Sequence, residues 1–83
     1  MMLESSKYLQ MLRENKGYSY RKMQELTHIN RITYKKYEDN PLNADTIILL
    51  DIASKLNANL DVLFCTLKQD YLSQNEIARR VKT

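Results

Sequence analysis

The sequence predicts an all-α protein, and three observations predict it. Only Gly17 and Pro41 punctuate the chain of 83 residues, which leaves long segments without a breaker. No stretch alternates apolar and polar side chains as a half-buried strand would. Asn30, Asn40, Asn43, Asn57 and Asn59 fall where helix ends are wanted, because a short amide side chain caps unpaired backbone amides and tolerates the left-handed region.

A first helix is predicted from Ser5 or Ser6 to Lys16, with Tyr8, Leu9 and Leu12 as its apolar stripe and Gly17 as its stop. Ser19 caps a second helix over Tyr20 to Leu26, whose Met23 and Leu26 face inward. After a break at Thr27-His28-Ile29, Asn30 caps a third helix over Arg31 to Tyr37. Thr33, Tyr34 and Tyr37 point inward there, while Arg31, Ile32, Lys35 and Lys36 stay outside. Pro41 and its Asn neighbours mark a loop, and Asn43 opens a fourth helix, Ala44 to Leu56, that buries Leu49, Leu50, Ala53 and Leu56 and ends at Asn57. Asn59 caps a fifth, carrying Leu60, Leu63, Phe64 and Leu67. The last stretch, Tyr71 to Thr83, contains the capping-box spacing Ser73-Gln74-Asn75-Glu76, followed by Ile77 and Val81 at i,i+4.

Length bounds the function. A chain this short buries only about 60% of the surface its unfolded form exposes, which leaves room for one small core and argues against a large enzyme. The 43% hydrophobic and 28% charged content is that of an ordinary soluble domain. The single Cys65 excludes an internal disulfide and a CxxC-type zinc site, and no leader pattern stands at Met1-Met2-Leu3-Glu4, so the chain reads as intracellular. The longest apolar run, Ile47-Ile48-Leu49-Leu50, is far too short to cross a bilayer. His28 has no second His or Cys in helical register and reads as a turn residue; Cys65 reads as a packing or bystander thiol. With no nucleophile and base pair and no Gly-rich phosphate loop, no catalytic residue, metal or cofactor is assigned.

The net charge of +3 is unevenly placed. Residues 18–37 hold Arg21, Lys22, Arg31, Lys35 and Lys36 against Glu25 alone, whereas the remainder holds eight basic and nine acidic groups. A local excess of this kind fits one face that meets a polyanion; a solvated Lys-rich helix face is the alternative.

The run from Tyr18 to Glu38, YSYRKMQELTHINRITYKKYE, resembles the helix-turn-helix of the Cro/CI-type (XRE) DNA-binding family. The run from Leu49 to Phe64, LLDIASKLNANLDVLF, is similar to that family's fourth and fifth helices, at matching spacing from Glu38. Two stretches in register extend the resemblance over residues 5 to 67. It implies a five-helix lambda-repressor-like DNA-binding domain over residues 1–69, with residues 70–83 as a short C-terminal helical extension. Two positions depart from the family pattern: Gln24 stands where a small Ala is usual, and His28 where a Gly is usual. His tolerates the left-handed region better than a β-branched residue does, but Gln24 must reach the surface or push two helices apart.

The resemblance also implies roles. Arg31, Ile32 and Lys36 occupy base-reading positions with Thr33 and Lys35 nearby; Arg31 suits a bidentate contact to guanine and Ile32 a thymine methyl. Ser19, Tyr20 and Asn30 sit at helix starts that point amides at phosphate, with Arg21 and Lys22 adding salt-sensitive attraction. Tyr20 replaces a usual Gln and is read as a phosphate donor, with a ligand-free surface aromatic as the alternative. Arg13 and Glu38 match a pair that links the first helix to the end of the recognition helix, expected to be partly buried. The implied partner is double-stranded DNA, bound as a homodimer. Leu60, Leu63, Phe64, Leu67, Ile77 and Val81 are the candidates for the dimer interface, unless the extension folds back over its own domain or frays. The function implied is a cytoplasmic transcriptional regulator of bacterial, phage or mobile-element origin, a repressor acting by operator occupancy. The alternative is an antitoxin that binds a protein partner and autoregulates its operon.

Overall fold

Side-chain capping decides where the chain turns. Ser19 Oγ accepts from the Lys22 amide at 3.1 Å, and Asn30 Oδ1 accepts from the Ile32 amide at 2.9 Å, each satisfying a donor that a helix start leaves unpaired. Helices end where the backbone turns left-handed, at Gly17 (φ 71°), His28 (φ 61°) and Asn57 (φ 56°). The computed structural model describes residues 3–82, with side chains through Gln74. Its elements are α1 (Glu4–Asn15), α2 (Tyr20–Thr27), α3 (Arg31–Asp39), a 3-10 turn (Pro41–Asn43), α4 (Thr46–Leu56) and α5 (Leu60–Lys82). The protein is all-α, with no strand among the described residues, and none of these helices is long and apolar enough to cross a membrane.

Every helix contributes to one core: Leu9 from α1, Met23 from α2, Tyr34 from α3, Leu49, Ile52, Ala53 and Leu56 from α4, and Leu63 and Leu67 from α5. Tyr8, Leu12, Tyr18, Tyr20, Leu26 and Tyr37 pack half-buried around it. The Tyr8 hydroxyl accepts from the Asn59 amide at 3.0 Å, and Asn59 Oδ1 accepts from Asp61 and Val62, so the start of α5 is held from α1.

The start of α1 is held from α5 in return. Leu3, ahead of α1, has no capping side chain; the buried Asp70 supplies the cap from the far end of the sequence. Asp70 Oδ1 accepts from the Glu4 amide at 2.9 Å, and Oδ2 accepts from the Ser5 amide at 2.9 Å and the Ser5 hydroxyl at 2.6 Å. A carboxylate at a helix N-terminus also favours the macrodipole.

Four expectations need correction. Asn43 does not open α4, because Pro41 starts a 3-10 turn whose bonds, Asn43 N–H to Asn40 O and Ala44 N–H to Pro41 O, both 3.1 Å, use up the segment; α4 begins at Thr46. Within α4, Leu50 is exposed and Ile52 takes the core position, since Ile52 lies closer to the line through Leu49, Ala53 and Leu56. The Ser73–Glu76 spacing starts no helix: α5 runs unbroken from Leu60 to Lys82, so the amides there already pair with the preceding turn, and the expected division at residues 69 and 70 falls inside one helix. Of the dimer candidates, Leu63 and Leu67 belong to the core, while Leu60 and Phe64 are each 43% exposed; the side chains of Ile77 and Val81 lie outside the described residues.

Candidate nucleic-acid interface

The corner between α2 and α3 is wired almost amide by amide. His28 N–H donates to Gln24 O at 2.8 Å, Ile29 N–H to Thr27 Oγ1 at 3.2 Å, and Thr27 Oγ1 in turn donates to Met23 O at 2.7 Å. Arg31 N–H donates to Gln24 Oε1 at 2.9 Å and Ile32 N–H to Asn30 Oδ1 at 2.9 Å. His28 takes the left-handed conformation expected for a residue in a Gly position (φ 61°, ψ 19°). Gln24 does not push the helices apart: its side chain lies along the corner and its carbonyl caps α3.

This wiring leaves α3 with two dissimilar faces. Tyr34 and Glu38 are buried, and Thr33 and Tyr37 half-buried. Arg31, Ile32, Lys35 and Lys36 are all exposed, Ile32 to 65%. Among the described residues Arg31 and Lys36 make no ion pair; Lys35 stands 4.0 Å from Asp39, both side chains more than half exposed, a pair that contributes little. Arg21 and Lys22 are exposed in the first turn of α2. Five cations therefore remain open to solvent on α2 and α3.

Behind that surface, Arg13 and Glu38 join α1 to the end of α3. Arg13 Nε lies 2.9 Å from Glu38 Oε2, Nη2 lies 3.2 Å from Oε1, and Nη1 donates to Tyr18 O at 2.8 Å. The pair is more deeply buried than the partly buried one expected, at 8% exposure for Arg13 and 2% for Glu38. The guanidinium carbon also sits 4.3 Å from the centroid of the Tyr20 ring, close enough for cation–π attraction, and that ring is tilted against Tyr34 at 6.1 Å. Burial pulls the Arg13 pKa down, but the hydrogen bonds and charge of Glu38 outweigh it and leave it above the ordinary value. Burial and then the Glu38 charge raise the Tyr34 hydroxyl; Tyr20 is raised by the same two causes, partly offset by Arg13. The Tyr34 hydroxyl lies in the Glu38 field but has no hydrogen-bond partner among the described residues.

The sequence-predicted residues thus divide. Arg31, Ile32, Lys35 and Lys36 share one open face, with Thr33 at its edge. The phosphate group changes in two respects. Asn30 Oδ1 and Gln24 Oε1 already occupy the first two amides of α3, so the start of α3 offers less to an anion than expected. The Tyr20 ring serves the Arg13–Glu38 pair and so has a structural role that sequence reasoning missed. Ser19 Oγ is likewise engaged by Lys22, but the Tyr20 and Arg21 amides, ahead of any partner in α2, are unpaired among the described residues. Sequence reasoning also missed the cap from Gln24; the separation of Gln24 and Arg31 across a short turn was the available signal. Cys65 is exposed and does not pack. Comparison with protein-family models, with curated proteins and with solved structures finds no match.

Proposed function

We propose that the chain binds double-stranded DNA as a lambda-repressor-like helix-turn-helix module and regulates transcription by occupying an operator. The observation that carries this reading is the division of α3: an open face bearing Arg31, Ile32, Lys35 and Lys36 against a back face fixed by Tyr34 and the Arg13–Glu38 pair. The major groove of B-DNA admits one helix, whose early residues approach base edges while the preceding helix crosses the phosphates. Arg31 reads guanine, Ile32 meets a thymine methyl, and Lys35 and Lys36 complete the contact. The free amides of Tyr20 and Arg21, with the Arg21 and Lys22 cations, meet phosphate. Leu60 and Phe64, joined by the exposed Tyr71 about two turns beyond Phe64 on α5, supply a surface for a second copy, which would set two reading helices about one turn of DNA apart. Titration of labelled duplex at two salt concentrations tests the reading. Binding that weakens steeply with salt is expected; no binding, or binding indifferent to salt, overturns it.

A further inference from the structure

We propose that Gln24 is a specificity-setting positioning residue: by accepting from the Arg31 amide it fixes the direction in which α3 presents Arg31 to a base edge. The inference rests on the DNA-binding reading above. Gln24 holds the corner twice, its backbone carbonyl accepting from His28 at 2.8 Å and its side-chain carbonyl from Arg31 at 2.9 Å. The first bond closes α2; the second crosses to the next helix. Because an amide N–H only donates, the side-chain oxygen must face Arg31, which leaves the Nε2 donors to the open groove lined by Gln24, Glu25, His28 and Asn30.

No other side-chain hydrogen bond among the described residues ties α2 to the first turn of α3. The far end of α3 is tied separately, through Glu38 to Arg13. α3 is therefore pinned at both ends by polar contacts and in the middle by Tyr34, and release of the Gln24 pin lets the first turn swing about the other two. Arg31 is the first residue of that turn, where such a swing displaces a side chain most. A bidentate contact to guanine needs two parallel hydrogen bonds and tolerates little displacement. Phosphate contacts from flexible cations tolerate far more, so the effect falls on discrimination rather than on affinity for any duplex.

The test compares Gln24→Met, which keeps length and packing but has no oxygen acceptor, with Gln24→Glu, which keeps the acceptor, in the full chain. Amide hydrogen exchange without DNA reads the pin. Arg31 exchanges slowly in the natural chain and in Q24E, and in Q24M speeds up toward its neighbour Thr33, whose amide has no partner among the described residues. The ratio of affinity for the best duplex selected from a random pool to affinity for random duplex reads discrimination. Q24M lowers that ratio by about tenfold, of the order of one lost base contact, whereas Q24E weakens both bindings alike and keeps the ratio. If Q24M loses Arg31 protection yet keeps the ratio within about twofold, the proposal is overturned and the DNA-binding reading stands. An equal drop in ratio for Q24M and Q24E also overturns it, because the acceptor is then not what matters. A natural chain with a protected Arg31 amide that binds no duplex overturns the DNA-binding reading itself.

Discussion

Tyr34 limits the pH range of the fold. Its hydroxyl is buried beside Glu38, and both burial and that charge raise it above its ordinary value, near 10 in an unfolded chain. Above pH ~10 the unfolded chain loses this proton and the folded chain keeps it, so the stability contribution is complete below pH ~10 and is lost as pH rises further. The urea midpoint is expected to fall as pH is raised above ~10, and to fall less in Tyr34→Phe; equal falls in both chains refute the assignment. Arg13→Ala leaves the Glu38 carboxylate buried without its partner and is expected to cost about 3–5 kcal/mol in urea unfolding, much of it recovered when Glu38→Leu is added. At this scale the sequence was legible where partners are neighbours. Ser19, Asn30 and Asn59 act on amides within a turn of themselves, and His28 and Asn57 answer to their own backbones. Tyr20 was read as a phosphate contact because its partner, Arg13, comes from another helix and no local pattern points to it.

At the scale of elements, α3 carries the functional reading. Replacing Arg31 or Lys36 by Ala is expected to weaken binding to a selected duplex by about 1–3 kcal/mol more than binding to random duplex, measured by competition titration. A loss equal on all sequences would make these residues phosphate contacts instead. The amphipathic spacing of α1, α2 and α3 made their inward faces legible. It failed in α4, where Leu50 and Ile52 flank the same stripe and only the position of neighbouring helices decides between them. Boundary signals failed at the start of α4 and within α5. Pro41 diverts the chain into a 3-10 turn before α4, and Ser73–Glu76 has the form of a helix start inside a helix already propagating, where continuing adds a bond for each residue fixed.

At the scale of the whole molecule, Asp70 ties the start of α1 to α5, a contact across 66 positions that no periodicity or motif reveals. A chain ended at Leu67 loses this carboxylate, although it keeps every buried apolar residue of the core. It is expected to melt on the order of 10 °C below the full chain, from at least ~2 kcal/mol of lost charged hydrogen bonds. A chain ended at Gln74 keeps every described side-chain contact and is expected to melt close to the full chain; calorimetry of the two separates Asp70 from the residues beyond it. Sedimentation of the Gln74 chain then asks whether self-association needs Ile77 and Val81 or only Leu60, Phe64 and Tyr71.

The same carboxylate closes the fold into a ring. A helix terminus ordinarily frays first, and its amides trade hydrogen with water through openings that cost almost nothing. Glu4 and Ser5 are denied that route: their amides are released only when α5 lifts from α1. Two residues at the start of α1 thereby become gauges of the α1–α5 contact, slow to exchange where a helix end without such a tie is fast.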